Sequence, residues 1–294
     1  MEKPAVYVHE AKYDEELYWS RVRRNLGWLG DSEEEARQRQ EKLRDCTIGI
    51  AGCGGIGGSL VERLARLGVR SMKIADFDTF EYSNINRQLG ASFGNVGRNK
   101  AEVVGEFVHD MTPDVRIEVY TEGISAETAD EFVSGCDYIF DEIEPYQFPA
   151  RYLLHQAFRR NQQCQFMLTG QVYGNRTFLW KWTHDSMPIE EVIGLPADAE
   201  LTPANAEKLI SRLVPEAPGY PDAAMQRKWL IEETTCPITP GAPPMSQGLL
   251  IERLMLAITG IDQQADSAQL PVSPGYAMVD SRTWTAKTVE GVWW

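Results

Sequence analysis

The sequence predicts an α/β protein: a Rossmann-like, doubly wound and mainly parallel sheet, with a helical amino-terminal arm before it and antiparallel strands near the carboxyl end. Two observations carry this. An apolar, β-rich run from Cys46 to Ala51 leads directly into Gly52-Cys53-Gly54-Gly55-Ile56-Gly57, and a stretch with Leu60, Leu64 and Leu67 at helical spacing follows. Beyond it, short apolar runs alternate with helical ones up to residue 182, the order that builds a parallel sheet flanked by helices.

Taken in order, residues 1–45 read as a charged helical arm, with Arg21, Arg23 and Arg24 near the middle and a polar run from Asp31 to Arg44. Residues 46–182 form the core. Its first unit is a strand, the glycine loop, a helix from Ser59 to Leu67 and a second strand from Val69 to Ala75 that ends at Asp76. Strands joined through a helix in this way lie parallel. Lys100 to Met111 reads as a helix, Val115 to Tyr120 as a strand and Ala126 to Val133 as a short helix. Tyr138 to Phe140 is an apolar strand ending at Asp141. A helix from Arg151 to Asn161, a strand from Phe166 to Thr169 and an antiparallel strand from Thr177 to Trp182 complete the core.

Residues 183–235 are broken by Pro188, Pro196, Pro203, Pro215, Pro218 and Pro221. They read as an insertion or lid over the carboxyl edge of the sheet, not a separate domain. In residues 236–294, Pro237 to Pro244 reads as an extended crossing and Ser246 to Thr259 as an apolar helix. Gly275 to Val279 and Arg282 to Ala286 read as a closing strand pair.

Composition limits the function. The chain has 294 residues and a net charge of -14, which argues against a broad nucleic-acid surface because phosphate neutralisation needs clustered Lys and Arg. No apolar run approaches the roughly 20 residues that span a bilayer, and Met1-Glu2-Lys3-Pro4 does not open a signal peptide. The expected location is the cytoplasm. Five scattered cysteines with no Cys-x-x-Cys pair support neither a zinc site nor a disulfide framework. The four histidines show no metal spacing.

Gly52, Gly54, Gly55 and Gly57 lie between a strand and a helix, where backbone N–H groups approach phosphate closely and the helix dipole favours an anion. Asp76, at the end of the next strand, is placed to accept hydrogen bonds from ribose hydroxyls. These features alone favour a nicotinamide or flavin enzyme. The following run, Asp76-Phe-Asp78 through Ser83-Asn84-Ile-Asn-Arg87-Gln88 to Lys100, is too rich in polar and cationic groups for that. A site that cleaves ATP needs such donors, because charge moves as pyrophosphate leaves.

With Arg21-x-x-Arg24-Asn25, Gly-x-Gly-Gly-x-Gly, Asp-x-Asp, Ser-Asn-x-x-Arg-Gln and Lys100 in register, the chain resembles the ThiF/MoeB/HesA family, related to the adenylation domains of ubiquitin-activating enzymes. The likeness covers most of residues 18–182 and resumes at about 236–260. It implies ATP and Mg2+, with Asp76 on the ribose, Asn84 and Arg87 on the phosphates, and Lys100 on the phosphates and the transition-state charge. It also implies a homodimer, with Arg24 donated into the partner's site. The family's metal-positioning acid falls in Asp141-Glu142-Ile143-Glu144, where Glu144 aligns best and Asp141 is the alternative. Cys236 lies in the crossing loop where relatives that handle sulfur carriers place a reactive cysteine, so it is a candidate nucleophile or a plain thiol.

The implied reaction is attack of a carboxylate on the α-phosphate of ATP, giving an acyl-adenylate and pyrophosphate. The proline-punctuated 183–235 segment is similar to stand-alone members of peptide natural-product pathways, such as the microcin and pantocin tailoring enzymes, so the expected substrate is a small ribosomal precursor peptide. The alternatives are the C-terminus of a ubiquitin-like sulfur carrier, cyclisation of tRNA threonylcarbamoyl-adenosine, and an NAD-dependent oxidoreductase.

Overall fold

The computed structural model describes residues 5–294; the reading of Met1-Glu2-Lys3-Pro4 lies outside the described residues. The strands are β1 (Val6–His9), β2 (Thr47–Ala51), β3 (Ser71–Ala75), β4 (Arg116–Tyr120), β5 (Tyr138–Asp141), β6 (Phe166–Tyr173), β7 (Arg176–Trp182), β8 (Tyr276–Asp280) and β9 (Thr285–Val289). The helices are α1 (Glu15–Val22), α2 (Glu33–Asp45), α3 (Gly57–Leu67), α4 (Lys100–Met111), α5 (Ala129–Val133), α6 (Phe148–Arg160), α7 (Ile189–Ile193), α8 (Pro203–Leu213), α9 (Ala223–Arg227) and α10 (Ala242–Thr259).

The strands make one nine-stranded sheet in the order β1-β4-β3-β2-β5-β6-β7-β8-β9. From β4 through β6 every neighbouring pair is parallel, whereas β1, β7, β8 and β9 are paired antiparallel. Successive residues of a strand face opposite ways, and both faces are apolar. Tyr138 and Phe140 of β5 join a core with Leu43, Leu64, Val104 and Leu254 from α2, α3, α4 and α10. Ile139 between them joins the other core, with Phe132, Leu154, Val192 and Leu209 from α5, α6, α7 and α8. A sheet buried on both sides is the doubly wound arrangement. No described helix is long and apolar enough to cross a membrane.

Several bounds differ from the sequence reading: α5 begins at Ala129 and not Ala126, α6 at Phe148 and not Arg151, and β9 covers Thr285–Val289 and not Arg282 to Ala286. Three further differences change the architecture. The arm opens with β1, whose four residues pair with Ile117–Tyr120 of β4, far away in the chain. Strand β6 runs on from Thr169 to Tyr173, and all eight of its residues are buried. Helix α10 starts at Ala242, not Ser246, because Pro243 and Pro244 occupy its first turn. There the missing N–H costs nothing and the fixed φ suits a helix.

Segment 183–235 packs on the α6 face. Ile189 and Leu209 are fully buried, and the hydroxyls of Tyr146 and Tyr152 donate to the carbonyls of Leu230 and Leu195 at 2.8 and 2.9 Å.

The strand order reverses between β2 and β5: β2 is followed leftward by β3, and β5 leads rightward to β6. Loops leaving the carboxyl ends of these two strands diverge and open a crevice.

Candidate functional site

A cavity of about 520 Å3 occupies that crevice. Its floor is the loop from β2 to α3. Gly52 has φ +98°, and a side chain on it would strike the backbone of Glu142; one on Gly57 would strike the carbonyl of Gly52. Those two glycines are demanded by packing. Gly54 and Gly55 are different. A Cβ on Gly54 would meet only Gln88, at 3.9 Å, and one on Gly55 would be in ordinary contact with Pro243, at 3.4 Å. Bare backbone there faces the cavity, where a ligand can approach it.

Helix α3 begins without a capping side chain. Among the described residues, the N–H groups of Gly54, Gly55, Ile56 and Gly57 donate no hydrogen bond. A row of free N–H groups at a helix start is an anion site. Asp76 braces the loop from the side: its carboxylate accepts from the N–H of Cys53 at 2.7 Å and of Asp78 at 2.8 Å. Burial raises the Asp76 carboxyl above its ordinary range, against the pull of Lys100.

Asn99 caps α4 through the N–H of Glu102 and also donates to the carbonyls of Asp76 and Thr121, at 2.9 and 3.0 Å. It thereby ties the start of α4 to the ends of β3 and β4. Lys100, the first residue of α4, is 8 % exposed, and its ammonium pairs with Asp78 at 3.0 Å. Asn84 accepts from the N–H of Glu81 at 3.1 Å and closes a short turn. Arg87 donates to the Ser83 carbonyl and to Asn86, at 3.2 and 2.8 Å. Its Nε, like Oε1 of Gln88, is buried without a partner, and burial lowers the guanidinium pKa. The orphaned Arg87 Nε–H is a donor, and a donor beside an anion site fits a phosphate-bearing ligand; the Gln88 oxygen can only accept and does not serve a phosphate.

The structure separates the acids after β5. Asp141 is fully buried and does not line the cavity. Its carboxylate takes Arg151 at 2.8 Å and His155 at 2.9 Å. Burial would raise its pKa, but Arg151 and the His155 hydrogen bond hold it below the usual range. Glu144 does line the cavity, and burial followed by Asp78 raises its pKa. Glu142, which the sequence reading passed over, also reaches the cavity. It accepts from the Gly170 N–H at 2.9 Å, and burial pushes its carboxyl well up. Its position in the acidic run after β5 was the available signal.

Cys236 also lines the cavity. Burial pushes its thiol up to about 12, and it lies 3.8 Å from the Tyr146 hydroxyl. That shift favours the thiol over the thiolate a nucleophile requires. Arg24 is exposed just beyond α1 and lies outside the cavity of its own chain. Among the described residues, no group of three or more His, Cys, Asp or Glu is placed to hold a metal ion. Asp78 and Glu144 line the cavity with Asp76, Glu81 and Glu142; a magnesium ion takes one or two carboxylates and keeps waters and phosphate oxygens as its other ligands.

The model of the ThiF family matches residues 22–217. Over 120 residues the chain is 37 % identical to a tRNA threonylcarbamoyladenosine dehydratase of Haemophilus influenzae, covering 40 % of this chain and 44 % of the relative. Over 142 residues it is 32 % identical to a SAMP-activating enzyme E1 of Haloferax volcanii, covering 48 % and 50 %. The chain thus spans about half the length of the curated relatives it matches. Among solved structures, Escherichia coli MccB with MccA-N7isoASN superposes with a TM-score of 0.65 at 15 % identity, covering 95 % of this chain and 72 % of MccB. That likeness speaks for the fold.

Proposed function

The chain belongs to the ThiF family, and from that premise we propose that it adenylates a carboxylate with ATP. The observation that carries this is the row of free N–H groups of Gly54, Gly55 and Ile56, set among Lys100, Arg87 and Gln88 in one cavity. A dinucleotide needs the glycine loop and Asp76 only. Cations beyond them, the buried Lys100 and the half-buried Arg87, suit a triphosphate whose charge shifts during reaction. In the proposed step a carboxylate oxygen attacks the α-phosphorus, the new O–P bond forms, and the bond to the β-phosphate breaks to release pyrophosphate.

Asp76 would hold the ribose, Asn84 and Arg87 the phosphates, and Lys100 the charge that builds up on them. Asp78 and Glu144 would hold magnesium, which supplies further neutralisation of the phosphates. A homodimer in which Arg24 enters the partner's site completes the proposal.

For the substrate we propose a small peptide carboxyl group. The match to MccB over 95 % of this chain supports it, as does the 183–235 segment, whose Thr235 reaches the cavity wall. A carrier-protein C-terminus is the second reading, supported by the likeness to the SAMP-activating enzyme.

ATP–pyrophosphate exchange tests both. Label should pass into ATP only when the right carboxylate is present, so candidate peptides and small carrier proteins are tried in parallel. Exchange with a peptide supports the first reading, and exchange with a carrier alone supports the second. No exchange with any of them, together with tight NADH binding, would sink adenylation.

A further inference from the structure

We propose that Gln247, a residue outside the cavity, is a positioning residue that sets the phosphate-facing peptide between Gly55 and Ile56. This deepens the ATP reading and rests on it.

Gln247 lies on α10 and is 2 % exposed. Its side-chain amide donates to the carbonyl of Gly55 at 2.7 Å. A carbonyl can only accept, so the NH2 end of the amide must face it. The neighbouring loop carbonyls are used by α3 itself: Gly58 donates to Gly54 and Leu60 to Ile56, both at 3.1 Å. The Gly55 carbonyl between them is held by another helix.

In a planar trans peptide the C=O and the following N–H point in opposite directions. With the Gly55 oxygen drawn toward α10, the Ile56 N–H is turned to the other side. Gly55 and Ile56 line the cavity and Gln247 does not, so that side is the cavity.

Glycine at 55 gives the peptide freedom to turn over. Turned over, it would present an oxygen to the phosphates and lose one donor. Gln247 removes that alternative before ligand arrives. The stretch leading into α10 is pinned as well: Asn86 donates to the Ile238 carbonyl at 3.0 Å, and Pro243 lies 3.4 Å from where a Cβ on Gly55 would be.

The test uses the full chain with Gln247→Met, which keeps length and flexibility and removes the donor. Binding of ATP and of adenosine is measured by calorimetry, and the Ile56 amide is followed by NMR as inorganic pyrophosphate is added. The expected result is a loss of about tenfold in ATP affinity, in the range of one charge-assisted hydrogen bond. Adenosine affinity should be unchanged, and the Ile56 amide should shift in the wild type but not in the variant. Equal ATP affinity and equal Ile56 shifts in both proteins would overturn the proposal. If Gln247→Met does not fold, the wild type decides, since an Ile56 amide indifferent to pyrophosphate also overturns it. A wild-type chain that ignores ATP as well overturns the ATP reading, and this inference falls with it. ATP binding with a silent Ile56 removes the inference alone.

Discussion

At the end of β5, Asp141 and its neighbour Glu142 are driven in opposite directions by their surroundings. Asp141 has Arg151 and His155 to hold its charge, so its stabilising contribution is present above the usual carboxylate range and is lost as pH falls through its depressed value. Glu142 has one N–H partner and a buried site, so it holds a proton in the fold that the unfolded chain releases. Its contribution is present at low pH and is lost as pH rises above about 4.3 toward its raised value. Glu142→Gln keeps an acceptor for the Gly170 N–H and removes the titration. Urea unfolding should find this variant more stable than the wild type at pH 8, by on the order of 1 kcal/mol or more, with the gap shrinking toward pH 5. Asp141→Asn should be the reverse, destabilising by about 3–5 kcal/mol at pH 7 because Arg151 is left buried without a counter-charge.

The glycine loop shows what an element asks of its residues. Gly57→Ala must push the Gly52 carbonyl aside, so it should lower stability by about 1–3 kcal/mol and weaken ATP binding with it. Gly54→Ala meets nothing nearer than the Gln88 side chain at 3.9 Å, so thermal unfolding should match the wild type to within about 0.5 kcal/mol while ATP affinity falls. A matching fall in stability for both would mean that Gly54 also serves packing.

This loop, its strand and its helix were legible in the sequence because every signal lies within thirty residues. So were α4 and β4, where apolar spacing alone suffices. Strand β1 was not legible: four residues carry too little pattern, and its partner lies more than a hundred positions away. The start of α10 was hidden because prolines that end a helix elsewhere can open one. The contrast between Asp141 and Glu144 needed Arg151 and His155, whose approach is set by α6 packing against β5. Gln247 had no local signal at all, since its meaning comes from a carbonyl nearly two hundred residues earlier.

For the whole molecule, the sheet brings residues 52–100, the acids after β5 and the wall at 235–238 to one edge, while Arg24 stays outside. The proposed exchange of Arg24 between two copies makes a definite prediction. Arg24→Ala and Lys100→Ala should each be nearly inactive alone. Unfolded and refolded as an equal mixture, they should recover about a quarter of wild-type exchange activity, since half the dimers would hold one complete site. No recovery would place Arg24 in the service of its own chain or of none.

The seating of β1 against β4 also sets an order in time. β1 leaves the ribosome before any other described strand, yet Val6 has nothing to pair with until Tyr120 has been made. β4 in turn needs β3, and β3 needs β2. Closing so long a loop is slow, so the earliest of the described strands waits, unpaired, for three later ones.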